Sequence, residues 1–158
     1  MKRHVKKGVH EIRRSLLREP RLSASERRRF IDGMNLFNRR EFWEAHEAWE
    51  EVWQNCGEES RIFFQGIIQA AAAYHLILVK KRFVGARNNI DKSLSKLELF
   101  SGRFLGVDVD ALRSALLLSR EAMERLGAER LHEFPERLFP RFEAQGGEGV
   151  DPKHRTIR

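Results

Sequence analysis

The sequence predicts an all-α protein, a compact bundle of about five main helices, and three observations carry that prediction. Apolar residues recur at helical spacing through most of the chain. Start and stop signals divide that pattern into separate helices. No stretch carries a strong strand pattern. The 158 residues, 41% of them hydrophobic and 34% charged, suffice for one domain with its own core and a heavily charged surface.

The first element, residues 1–22, reads as a basic amphipathic helix. Val5, Val9, Ile12 and Leu16 form one helical stripe, and Pro20 stops the helix. Residues 1–29 hold 11 Lys/Arg against three Glu, so the whole +7 excess of the chain resides there. Such a segment suits nucleic acid, an anionic surface or an acidic partner. Its apolar stripe suits equally well a helix docked on the core, with the basic face solvated.

Residues 23–127 read as the bundle itself. Ser23 followed by Glu26 is a capping box that opens a helix over 24–38, with Phe30, Met34 and Phe37 inward. A second helix spans about 40–54, with Gly57 as its expected terminator. The third, about 59–81, is apolar nearly all round, as a central helix is. The fourth, about 83–100, places Phe83, Ala86, Ile90, Leu94 and Leu97 on one stripe. "SGRFLGV" is a turn-rich connection. Asp108 caps a fifth helix over 109–126, which Gly127 ends. In residues 128–158, "FPERLFPRF" is suited to lie over the core, and the polar, Gly-rich remainder is expected to form a mobile tail.

A faint internal echo accompanies this order. "NRREFWEAHEAWEEVW" and "VKKRFVGARNNIDKSL" align at an offset of 41 residues. Each begins with a basic turn, then an aromatic residue, then alanine. This hints at two related αα-hairpins of the tetratricopeptide kind.

The candidate site lies in "FWEAHEAWEEVW", residues 42–53. At 100° per residue, Phe42, Ala45, His46, Trp49 and Trp53 share one face, expected to be core. Glu50 stands one turn from His46. Glu44, Glu47 and Glu51 occupy the neighbouring face. Trp43 falls off the stripe and is expected to meet solvent or another chain. On the third helix, His75 is on an inward stripe, and Gln65 and Gln69 form a polar pair beside it. Packing of the two helices would bring these groups together.

Three chemistries fit that set. One is a buried network of hydrogen bonds with no further role. A second is a divalent metal held by His46, Glu50 and His75, although paired Glu-x-x-His and His-Glu-x-x-His motifs are both missing. The third is general acid–base catalysis by His46, Glu47, Glu50 or His75, as in a hydrolytic enzyme. No Gly-rich phosphate loop or Ser-centred elbow is visible. The single cysteine, Cys56, excludes an internal disulfide and fits a reducing, cytoplasmic setting. No uninterrupted apolar run reaches the ~18 residues of a bilayer span.

The segments 37–53, "FNRREFWEAHEAWEEVW", and 61–75, "RIFFQGIIQAAAAYH", resemble the small helical proteins grouped as domain of unknown function 309. The resemblance covers roughly residues 27–100 and implies a compact helical bundle. It brings a motif at Glu44, His46, Glu47, Trp49, Glu50, Trp53, Gln65, Gly66, Gln69 and His75, and no reaction, substrate or cofactor. The expectation is therefore a binding module for a protein partner or a second copy, with the metal or hydrolytic reading as the alternative.

Overall fold

In the computed structural model, residues 17–57 and 59–143 are described. The apolar stripe Val5–Leu16, Glu58 and the tail 144–158 lie outside them. The architecture is an all-α bundle. Helix α1 (Ala24–Asn38) opens on the expected capping box: Ser23 Oγ accepts from the Glu26 N–H at 3.1 Å, and the Ser23 N–H donates to Glu26 Oε1 at 3.0 Å. Helix α2 (Phe42–Asn55) follows. It leaves through Cys56 in extended backbone, so the expected Gly57 terminator is not used. A 3₁₀ turn (Glu59–Arg61) feeds α3 (Ile62–His75), which widens into a π-helical turn (Leu76–Lys80). Helix α4 (Phe83–Leu97) comes next. Helix α5 (Val109–Leu126) starts where Asp108 Oδ1 accepts from the Ala111 N–H at 3.0 Å, and ends at Gly127 with φ 71°.

The turn-rich connection before α5 is a two-stranded antiparallel hairpin, β1 (Arg103–Phe104) and β2 (Val107–Asp108). Two residues per strand are too few for alternation to register in a sequence pattern.

Short turns make α1 to α4 run up, down, up and down, with α3 packed between α2 and α4. Arg40 (φ 62°) and Lys81 (φ 53°) both sit in the left-handed region, one in each hairpin turn. They are the same 41 positions apart as the sequence echo, so the echo has a backbone counterpart. Both turns lie at one end of the bundle.

The 22-residue stretch Glu59–Lys80 is long and apolar enough to cross a bilayer, despite the interruptions at Gln69 and His75; 61% of its apolar window is buried inside the protein. It is the central helix that its composition suggested.

The core is aromatic. Phe37 meets Phe42 and Phe142 at 4.9 Å each and Tyr74 at 5.9 Å between ring centroids. Residues 128–142 return over this core: Phe139 stacks on Phe42 at 5.6 Å, and the Asn38 side chain exchanges two hydrogen bonds with the Phe142 backbone, of 2.9 and 2.7 Å. The Phe-Pro segment thus lies over the core, as its sequence suggests. Pro20 is also buried, Leu17 and Leu22 pack on the core, and Glu19 accepts the Leu105 N–H at 2.7 Å.

One face assignment needs correction. The buried stripe of α2 is Phe42, Ala45, Ala48, Trp49 and Val52. Trp53 is only partly buried, at the edge of the core. At 100° per residue the buried arc runs from Phe42 to one side, through Trp49, Ala45 and Val52 to Ala48, and Trp53, about 20° beyond Phe42 on the other side, lies at its edge.

Candidate functional site

The start of α2 lies beside the end of α3, and a cluster of rings forms there. Trp43 stacks on His46 at 4.6 Å and 10° between planes, and tilts against His75 at 5.3 Å. The His46 contact follows from helix geometry, since residues three apart are neighbours on a helix surface. The His75 contact is tertiary. Trp43 remains 44% exposed although two rings lean on it. His46 and His75 are half-buried. The two histidines are therefore brought together as expected, and the residue that joins them is the tryptophan that falls off the core stripe.

The carboxylates stand around this cluster, not within it. Glu50 Oε1 lies 3.6 Å from His46 Nε2, beyond hydrogen-bond length. Glu44 and Glu47 are exposed. Glu51 is drawn away to α1, where Arg29 Nε donates to it at 2.6 Å and lowers its pKa. The buried His46 Nδ1 has no hydrogen-bond partner among the described residues.

Other members of the sequence-predicted set are elsewhere. Trp49 is fully buried, with its Nε1–H donating to the Phe30 carbonyl at 3.0 Å. Gln69 faces α4, where its Oε1 accepts from Lys96 Nζ at 2.7 Å. Gln65, ten residues before His75, lies about 15 Å along the helix axis from it. The glutamines and Trp49 thus belong to the packing of the bundle. Helical periodicity places a residue on a face; it does not say which neighbour that face will meet.

Among the described residues, no three His, Cys, Asp or Glu side chains converge as a metal-binding group. His46, Glu50 and His75 do not close into one. For acid–base chemistry, no Ser or Cys stands beside the histidines among the described residues: Cys56 is buried at the far end of α2 and Ser60 in the turn before α3.

Two features at this end were not anticipated. The helix widens immediately after His75, and such π turns are frequent at functional sites. The turn that follows, Lys80-Lys81-Arg82, is exposed throughout. A π turn sets each residue over the one five positions before it, which brings Lys80 over His75.

Residues 30–89 match the family model described as Domain of unknown function (DUF309). The resemblance read from the two motif segments is confirmed over that span. The DUF309 segment runs from Phe30 in α1 to Asn89 in α4 and holds every candidate site residue. No curated protein matches the chain.

Burial lowers the pKa of His75 below the ordinary histidine value; Lys80 and His46 push the same way, and Glu44 opposes them. The folded state therefore favours neutral His75. Its contribution to stability is complete above the ordinary value of ~6.5. It is lost as pH falls from there through the lowered native value, because the unfolded chain then binds the proton more readily. Urea midpoints measured from pH 7.5 down to 5 should fall less steeply for His75→Gln than for the unmodified protein. Parallel curves would show that His75 does not contribute.

Proposed function

We propose that this DUF309 protein is a binding module whose working surface is the end of the bundle formed by Trp43, His46 and His75. The observation that carries the reading is a tryptophan held in place by two imidazoles yet 44% exposed. A side chain buried for stability alone gains most when fully covered. A pre-positioned, half-open indole gives a partner a large contact at little entropic cost. The hydrolytic alternative has less support, since the His46–Glu50 pair is too long for a hydrogen bond and no nucleophile adjoins it among the described residues. A chain with one cysteine, which can form no internal disulfide, suits work in the reducing cytoplasm.

A diazirine-bearing residue in place of Glu44 tests the reading. Irradiation in cells should give discrete adducts, to a partner macromolecule or a second copy. Trp43→Ala in the same chain should remove them while lowering the melting temperature only slightly. Adducts of equal yield from a probe at Glu121 on α5, or adducts indifferent to Trp43, would refute a binding surface at this end.

A further inference from the structure

The two hairpin turns at this end of the bundle carry matched basic residues, but their electrostatic states differ. In the first, Arg39 Nε pairs with Glu41 at 2.9 Å, and Arg40 pairs with Glu136 at 3.6 Å and lies over the Phe139 ring. These cations are already partnered. In the second turn, Lys80, Lys81 and Arg82 are all exposed, and none forms an ion pair or side-chain hydrogen bond with a described residue. Three adjacent cations repel one another, and an anionic ligand would relieve that repulsion. The left-handed Lys81 separates the end of the π turn from the start of α4, so the three residues project from a sharp corner rather than along one helix.

The corner adjoins the ring cluster through His75. Trp43 leans on that imidazole, and the π turn that ends at Lys80 begins directly after His75. An exposed indole next to uncompensated cations is the pairing that single-stranded nucleic acid requires. Bases stack on aromatic surface irrespective of sequence, and phosphates follow the positive charge. A duplex keeps its bases stacked on each other and offers none to Trp43. The acids nearby are Glu44 and Glu47 on the exposed side of α2 and Glu50, 3.6 Å from His46. They repel phosphate and so favour a backbone path toward the 80–82 corner.

Resting on the reading of this end as the working surface, we propose that its partner is single-stranded nucleic acid, with a base on Trp43 and phosphates on Lys80, Lys81 and Arg82.

The test is fluorescence anisotropy of a labelled twelve-nucleotide oligothymidylate against the full chain, across a salt series from about 50 to about 200 mM. Trp43→Ala should weaken binding about tenfold, as expected for the loss of one stacked base, whereas Trp43→Phe, which keeps a ring, should retain most of the affinity. The triple change Lys80→Gln, Lys81→Gln, Arg82→Gln should reduce the slope of log K against log salt by about two, given ~0.7 per phosphate on a single strand. Arg27→Gln with Arg28→Gln, exposed on α1, should change neither quantity. A matching duplex should bind more weakly and ignore Trp43. The proposal fails if the oligonucleotide does not bind at the lowest salt, if the duplex binds as tightly, or if the position 43 and 80–82 variants bind like the unmodified chain. Trp43-dependent photo-adducts to a protein without oligonucleotide binding would leave the binding surface standing and overturn only its nucleic-acid assignment.

Discussion

Trp49→Ala is expected to destabilise the protein by about 3–5 kcal/mol, the range for removing a buried aromatic side chain. The indole is completely buried. It contacts Phe37 and Phe142 at 5.7 Å each, and its Nε1–H satisfies the Phe30 carbonyl at 3.0 Å. Truncation therefore opens a cavity bordered by three parts of the fold, α1, α2 and the returning C-terminal segment, and removes one buried hydrogen bond. Trp53→Ala should cost less, because that ring lies at the core's edge. Trp43→Ala should cost least, since a large share of its surface is already in water. Urea melts of the three variants provide the comparison, and equal losses at positions 43 and 49 would contradict the packing described.

Gly33→Ala is expected to destabilise by about 2–4 kcal/mol, the sum of overpacking and a disturbed buried hydrogen bond. Helix propensity alone gives the opposite sign, since alanine is favoured over glycine in a helix interior by about 1 kcal/mol. Packing decides. A Cβ at position 33 would lie 2.2 Å from Trp49 Nε1 and 2.5 Å from its Cδ1. The indole is hemmed in by Phe37 and Phe142, so it has little room to retreat. Gly33 is thus the point at which α1 lets the α2 tryptophan reach the Phe30 carbonyl. Combining Gly33→Ala with Trp49→Phe should give a loss smaller than the sum of the separate losses, because the smaller ring relieves the clash. A Gly33→Ala variant that melts at or above the temperature of the unmodified protein would show that the approach is not tight.

The helices were legible because each carries its own start, stripe and stop. The Ser23–Glu26 box, the Asp108 cap and Gly127 act within a few residues of themselves, so local chemistry is enough to place them. The Gly57 terminator failed for the same local reason in reverse: an extended Cys56 ends the helix as well, and composition does not distinguish the two exits. The hairpin at 103–108 was too short to give a pattern.

The candidate site was partly legible. Stripes put His46 and His75 toward the interface of α2 and α3 and Trp43 off the core, and all three stand accordingly. Gln69 was placed beside His75 by the same logic, yet it pairs with Lys96. The period fixes an angle around one helix but not the depth at which a second helix crosses it.

The sequence by itself determined the all-α class, the order and near-limits of five helices, the central position of the apolar third helix and the family resemblance over the motif segments. These follow from spacing and capping within single helices. Only the tertiary structure decided that Trp43 bridges the two histidines, that Gly33 receives Trp49, and that among the described residues the Arg39–Arg40 turn finds ion-pair partners while the Lys80–Arg82 turn does not. Arg40 finds Glu136 ninety-six positions away. Such pairings depend on how separate elements meet in space, and no local pattern in the chain encodes a contact of that separation.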